Sequence, residues 1–314
     1  MNTEDTQMAA SVLTSREGLF GIEGTVAALK AGKSALDALE RGVQMVEDDH
    51  RARTVGFGGA PNILGLMQCD ASIMDGATLQ VGAVGALHGC RYPISAARKV
   101  MEVLPHVFLA GEGASRFARE MGIEQSDQLF PESKVAYERW LTEHMTPAQR
   151  AALQDIPLAP FISFKTRSDL SKGTVTFLVR DSRGHIFGGV STSGWAYKYP
   201  GRLGDSPVIG AGMYVDNRYG GASCTHTGEM TIRAGTARSV VLYMKRGASV
   251  QEAVHEAASD LRYLKGGYQG PVIIHAMDKD GEPFVATLGG DDGDSYCVWR
   301  EGMASFEEKV PTLV

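Results

Sequence analysis

Gly173-Thr-Val-Thr-Phe-Leu-Val-Arg180, Asp181-Ser-Arg-Gly184 and His185-Ile-Phe-Gly-Gly-Val-Ser191 together spell a β-hairpin. Two runs rich in β-branched and aromatic residues enclose a turn built from residues that tolerate tight backbone conformations. The first strand opens on Gly173-Thr174, directly after a stretch of different character. Between Gly122 and Lys172, polar residues and Pro131, Pro147, Pro157 and Pro160 break any regular alternation, and a single helix is expected there, over 147–153. Residues of about 123–173 are therefore expected to form a mobile linker.

Outward from the hairpin, the pattern changes to layers. A helix is predicted over 25–30 and breaks at Ala31-Gly32; Ser34 then caps a second helix, in which Leu36, Leu39, Val43 and Val46 fall on one face. The stretch 69–87, with Ala71, Ile73 and Leu79-Gln-Val-Gly-Ala-Val-Gly-Ala-Leu87, lacks helical spacing and predicts buried strands crowded by glycine. A helix over 94–102, a strand over 106–109 and a short helix over 115–121 follow. Beyond the hairpin come helices over 228–245 and 250–261, then strands over 272–277, 283–288 and 296–300. Runs of strands and helices in two halves predict an α+β fold with a mostly antiparallel sheet.

The bulk composition narrows the function. The chain has 314 residues, 43% of them hydrophobic and 22% charged, with 38 glycines and a formal net charge of −6. This describes a globular protein rich in tight turns, with no long basic run to suit nucleic acid or an anionic membrane surface. A small molecule is the expected partner. Cys69, Cys90, Cys224 and Cys297 lie far apart without a paired motif, so they are expected to be buried thiols. The acidic start of the chain does not resemble a secretion signal, and a cytoplasmic location is expected. Ala27-Ala-Leu-Lys-Ala-Gly-Lys-Ser34 ends like a phosphate-binding loop but lacks its first glycine and preceding strand; it reads instead as a helix-ending glycine followed by a capping serine. No metal and no cofactor are implied.

Three polar, glycine-flanked segments follow Gly173-Thr174 at close range and end successive apolar strands: Ser191-Thr-Ser-Gly194, Pro200-Gly-Arg-Leu-Gly-Asp-Ser-Pro207 and Ser223-Cys-Thr-His-Thr-Gly-Glu229. Strand ends gathered at one rim are where a scaffold presents reactive groups. The run 174–233, with Ser-Gly-Trp-Ala-Tyr-Lys, Gly-Arg-Leu-Gly-Asp-Ser-Pro-Val-Ile-Gly-Ala-Gly and Tyr-Val-Asp-Asn, closely resembles the glycosylasparaginase (aspartylglucosaminidase) family and the related plant-type asparaginases and isoaspartyl peptidases. Upstream, Ser34-Ala-Leu-Asp-Ala, Val46-Glu-Asp-Asp49, Val55-Gly-Phe-Gly-Gly59, Asp70-Ala-Ser-Ile-Met-Asp75 and Pro93-Ile-Ser-Ala-Ala-Arg98 extend the resemblance over nearly the whole chain, the first dozen residues and the linker excepted.

The resemblance implies a single N-terminal nucleophile hydrolase domain over 1–314, a four-layer αββα sandwich. It implies autoproteolysis between Gly173 and Thr174, leaving chains 1–173 and 174–314 together in a homodimer of αβ pairs. Thr174 would be the nucleophile, its freed α-amine, with a pKa of ~7.7–8.0, serving as base on the same residue. Thr192 would hold that hydroxyl, and Thr225 with the N–H of His226 would form the oxyanion hole. Arg202 would grip the α-carboxylate of a β-aspartyl amide and Asp205 its α-ammonium group, while Thr54 keeps the small hydroxyl residue usual at its position. The substrate implied is an N4-substituted asparagine of the glycosyl type; a second reading is an isoaspartyl peptidase or L-asparaginase, and a third is an unprocessed, inactive binder of an aspartyl ligand. Three departures stand out: Gly173 where glycosylasparaginases carry aspartate, His226 where the family carries glycine, and Ser15-Arg-Glu17 in place of an aromatic Trp-x-Phe wall.

Overall fold

The computed structural model describes residues 8–126, 129–162, 173–291 and 293–314. Its frame is mixed α+β, with two sheets. The larger contains β1 (Ser11–Ser15), β2 (Cys69–Asp75), β3 (Val81–Leu87), β4 (Phe108–Ala110), β5 (Val175–Arg180), β6 (Ile186–Thr192), β11 (Tyr296–Arg300) and β12 (Glu307–Lys309), in the order β12-β11-β1-β5-β6-β2-β3-β4. The smaller runs β13-β10-β9-β8-β7, from β13 (Thr312–Leu313), β10 (Pro283–Leu288), β9 (Val272–Asp278), β8 (Gly220–His226) and β7 (Met213–Asp216). Pairing is antiparallel except for β3 with β4 and β10 with β13.

Period-2 alternation along β5 explains the packing. Phe177 and Val179 point into a core cluster with Leu39, Val43 and Val46 of α2 (Ala35–Asp48) and Ile94, Ala97 and Val100 of α3 (Pro93–Val103). Leu178, between them, joins Val190, Met213, Val215, Ile273 and Met277 in a second cluster shared by the two sheets. The same alternation on β9 turns Ile274 and Ala276 toward α8 (Thr236–Lys245) and α9 (Val250–Arg262), where they meet Val240, Val241, Val254 and Leu261.

Local chemistry sets the element ends. α1 (Ile22–Lys30) stops before Gly32, which has φ +76°, and the Ser34 side chain accepts from the Asp37 N–H to start α2. The segment resembling a phosphate loop is thus a helix-to-helix turn. The helix predicted over 228–245 is two: α7 (Gly228–Ala234) ends at Gly235, whose left-handed φ of +61° separates it from α8. Among the elements with no counterpart in the sequence reading, two shape the site and its surroundings. β1 occupies the middle of the large sheet, between β11 and β5. Within the supposed linker, α5 (Pro131–His144) precedes α6 (Pro147–Ala151) and seats Tyr137 and Trp140 against Ile63 and Tyr197, with the Tyr137 hydroxyl donating to the Ile63 carbonyl at 2.8 Å. The part of the expected mobile linker over 163–172 lies outside the described residues. Among those described, no helix is long and apolar enough to cross a membrane.

Phe177 is fully buried between α2 and the sheet. Replacing it with alanine should cost about 3–5 kcal/mol of unfolding free energy, read from chemical denaturation, because the rigid sheet cannot collapse into the space left behind.

Candidate active site

β1 fixes the start of β5. The Ser15 hydroxyl donates to the Thr174 carbonyl at 2.8 Å and accepts from the Thr176 N–H at 3.3 Å, so one side chain aligns the backbone on both sides of Val175. Just upstream, Gly173 has φ +105°, and a Cβ there would stand 1.9 Å from Thr54 Oγ1. Both the backbone conformation and the space admit glycine alone.

Thr174 is buried, and its hydroxyl lies 3.3 Å from the Thr192 hydroxyl at the end of β6. Thr192 Oγ1 also approaches the carbonyls of Thr54 (3.3 Å) and Gly173 (3.5 Å), and it accepts from the Gly194 N–H at 2.9 Å. A hydroxyl has a single proton to give, so Thr192 can hold one of these oxygens at a time. The sequence reading joined Gly173, Thr174 and Thr192 and set Thr54 apart as a substrate-binding position; the fold brings all four together.

From Gly194 the contacts run to the loop that carries Arg202 and Asp205. A Cβ on Gly194 would meet Arg202 Nη1 at 3.0 Å, which places the guanidinium beside the residue capping Thr192. Arg202 stacks 4.7 Å over the Trp195 ring and forms a salt bridge with Glu229 at 2.7 Å, a partner the sequence reading left without a role. Asp205 accepts from the Thr231 hydroxyl at 2.7 Å, and its carboxylate sits against Gly228, where a Cβ would be 2.8 Å from Oδ1. Burial pushes the Asp205 carboxyl up to about 6.

The position of this loop is written into β2 and the residue before it. Alternate residues on one face bind it: the Gln68 carbonyl accepts from Lys198 Nζ at 2.8 Å, Asp70 Oδ2 from the Gly204 N–H at 3.0 Å, and the Ser72 hydroxyl donates to the Ser206 carbonyl at 2.6 Å. Asp70-Ala-Ser72 has the spacing of a strand with one polar face; that was the available signal, and it reads as loop support only once the loop is in place.

At the end of β8, the Thr225 hydroxyl contacts His226 Nδ1 at 3.1 Å, and His226 Nε2 faces Asp294 Oδ1 at 3.5 Å. His226 has φ +83°, a left-handed conformation that favours glycine and costs a residue with a Cβ of order 1–3 kcal/mol. Such strain concentrates where the backbone must be aimed. Thr225, His226 and Gly173 line one cavity of about 60 Å³ together with Arg16, Glu17 and His275. Contacts thus run from Gly173 through Thr192 and Gly194 to Arg202, and Gly173 shares a cavity wall with Thr225 and His226.

Buried hydroxyls at a strand start, with a guanidinium and a buried carboxylate on a neighbouring loop, are residue types that amide-cleaving chemistry uses. The asparaginase family model matches residues 4–287. The N(4)-(β-N-acetylglucosaminyl)-L-asparaginase of Elizabethkingia miricola is 39% identical over 241 residues, covering 76% of this chain and 66% of that one. The rat protein of that name is 36% identical over 258 residues (78% and 75%), and the Isoaspartyl peptidase/L-asparaginase of Mus musculus 37% over 257 (81% and 72%). The chain spans about two thirds to three quarters of the length of these relatives. It belongs to this asparaginase family.

Asp205 titrates unusually, and stability should follow. Its folded value near 6 lies above the ordinary 3.8, so its contribution favours the fold at low pH and is lost as pH rises through about 6. Asp205→Asn should accordingly gain in Tm relative to the parent protein as pH is raised from about 4 to about 7; an unchanged difference in a thermal melt series would mean that Asp205 is ionised throughout.

Proposed function

We propose that the chain cuts itself between Gly173 and Thr174 and that the freed Thr174 then hydrolyses the side-chain amide of an N4-substituted asparagine of the glycosyl type, releasing aspartate. The observation that carries this is the buried pair of hydroxyls, Thr174 against Thr192 at 3.3 Å, directly after a glycine held at φ +105°. In the first step Thr174 Oγ1 adds to the Gly173 carbonyl carbon; the peptide C–N bond breaks, its nitrogen becomes the α-amine of Thr174, and water hydrolyses the ester left behind. The products are chains 1–173 and 174–314, retained in one domain. The clusters between the helices and each sheet, and the one between the two sheets, support reading that domain as the αββα sandwich of N-terminal nucleophile hydrolases, and the family resemblance supports pairing into a homodimer.

In turnover, the α-amine of Thr174 takes the hydroxyl proton as Oγ1 attacks the substrate's β-carbonyl. Thr192 holds the nucleophile. The Thr225 hydroxyl and the His226 N–H receive the developing oxyanion, where losing one donor costs about 10²–10³ in rate. The amide C–N bond breaks, the departing amine collects the proton, and water then releases aspartate from the Thr174 ester. Arg202 and Asp205 select the aspartyl head: a planar guanidinium for the α-carboxylate, a buried carboxylate for the α-ammonium group. Thr54 packs against Gly173 and keeps the scissile backbone in its left-handed bend.

A second reading, an isoaspartyl peptidase or L-asparaginase using the same machinery, is favoured by the charged residues Arg16 and Glu17 beside Gly173. A relative named for that activity matches the chain about as closely as those named for the glycosyl substrate.

Intact mass should show two fragments, 1–173 and 174–314, and Thr174→Ala should abolish both cleavage and hydrolysis. A wild-type chain that folds, never divides and binds aspartyl ligands would be the unprocessed binder instead. Arg202→Ala should raise KM by at least about tenfold while self-cleavage proceeds, since the guanidinium is assigned to substrate and not to the peptide bond; failure to process would make Arg202 a structural residue.

A further inference from the structure

An oxyanion hole that uses the backbone N–H of residue 226 does not need an imidazole there. A glycine would supply the same N–H without the strain that φ +83° puts on His226. The ring nevertheless has two defined partners. Along an extended strand, neighbouring side chains point to opposite faces, so Thr225 and His226 would not meet. The left-handed turn at the end of β8 brings the ring back, and His226 Nδ1 lies 3.1 Å from the Thr225 hydroxyl, the other donor of the oxyanion pair. On the far side of the ring, Nε2 faces Asp294 Oδ1 at 3.5 Å, and both side chains are largely buried. Asp294 is itself held in place: its Oδ2 accepts from the Asp291 N–H at 3.2 Å and from the Thr287 hydroxyl at 3.4 Å, so Oδ1 is the oxygen turned to the ring.

The Thr225 hydroxyl has one proton and can give it either to an oxyanion or to Nδ1. A neutral imidazole carries one N–H, and the carboxylate of Asp294 draws that proton to Nε2. Nδ1 is then a bare lone pair and takes the Thr225 O–H. In the protonated ring both nitrogens donate: Nε2–H to Asp294 and Nδ1–H to Thr225 Oγ1, which leaves the Thr225 proton for the oxyanion. Besides Asp294, the titratable and charged groups that share this cavity with the ring are Glu17 and Arg16 from the β1 end, Asp291 from the loop before β11, and His275 from β9. His275 stays neutral, because burial, with His226 nearby, pushes its pKa down to about 3.

We propose that the His226 ring, oriented by Asp294, is a positioning residue that sets the direction of the Thr225 O–H: the charged ring turns it to the oxyanion and the neutral ring takes it away. This deepens the threonine-nucleophile reading above and rests on it. The two proton requirements have opposite signs. Thr174 needs an unprotonated α-amine to act as base, so kcat rises with pH, whereas His226 must keep its proton, so kcat falls again at higher pH. Loss of the Thr225 donor should lower kcat by about 10²-fold across that alkaline limb.

The test is kcat of the divided enzyme from about pH 5 to about pH 10, on N4-glycosyl-asparagine and on β-aspartyl-leucine. Saturating substrate is used because loss of the substrate's own ammonium proton weakens binding and is common to every variant. The wild type should give a bell, and His226→Gly should keep the acid limb and lose the alkaline one. A ring that only shaped the fold would lower kcat at every pH and leave both limbs in place. Asp294→Asn should also lose the alkaline limb. The Asp291 N–H keeps the amide oxygen at the Oδ2 position, so the NH2 faces Nε2 and the neutral ring carries its proton on Nδ1. Nitrogen NMR of the histidine rings at alkaline pH reads the same point without turnover: Nε2–H in the wild type, Nδ1–H in Asp294→Asn, with His226→Gly identifying the signal. An alkaline limb that survives in His226→Gly, or a wild-type ring protonated on Nδ1, overturns the positioning role and leaves the nucleophile standing. Absence of wild-type turnover on both substrates overturns the threonine-nucleophile reading and this role with it. Should Asp294→Asn fold poorly, His226→Gly and the wild-type ring decide.

Discussion

The clamp on the first residues of β5 is the constraint from which the rest of the site follows. Ser15 holds the carbonyl of Thr174 and the N–H of Thr176, Thr54 packs into the space a Cβ would need at Gly173, and Thr192 meets the Thr174 hydroxyl. Each clamp comes from a different part of the chain, and none is local to the 173–174 peptide. Strand pairing of β1 with β5 and of β5 with β6 delivers Ser15 and Thr192 to the same end of the sheet, because register in a paired sheet is fixed by which side chains must face the core. A one-residue slip of β5 would carry Phe177 out of the helix-facing core and Leu178 into it, and would separate the two hydroxyls. The hydrophobic pattern therefore guards the chemistry as well as the fold.

Buried polar groups do the finer positioning, and most of them work through backbone amides. Asp70 holds the Ala86 and Gly204 N–H groups, Glu47 accepts from the Ile94 N–H at 3.0 Å and the Ser191 hydroxyl at 2.6 Å, and Lys198 is anchored on the Gln68 carbonyl. Burial drives the Glu47 carboxyl well above its ordinary range and lowers the Lys198 ammonium. Such groups are expensive to desolvate and are kept where a loop must hold one geometry. Here the loop is the one that presents Arg202 and Asp205. Glu229 and Thr231, one helix turn into α7, complete its support and bind the two charges to the strand end that carries Thr225 and His226.

The sequence by itself determined the hairpin, the helices with a clear apolar face, the α+β class and, through the match over most of the chain, the residues gathered at 173–174, 192, 202–205 and 225–226. These are legible because periodicity, capping and turn chemistry act over a few residues. β1 escaped because Ser11-Val-Leu-Thr-Ser15 is buried on both faces and so shows no alternation, and α5 because its buried residues, Ser133, Tyr137 and Trp140, sit within an otherwise polar run. What only the tertiary structure decided is which distant groups meet: Ser15 with Thr174, Gln68, Asp70 and Ser72 with the 198–206 loop, Arg202 with Glu229, and His226 with Asp294. Those contacts join residues tens to hundreds of positions apart, and no local preference encodes them. They follow from the order in which strands lie in two sheets, fixed when the whole apolar surface is buried at once.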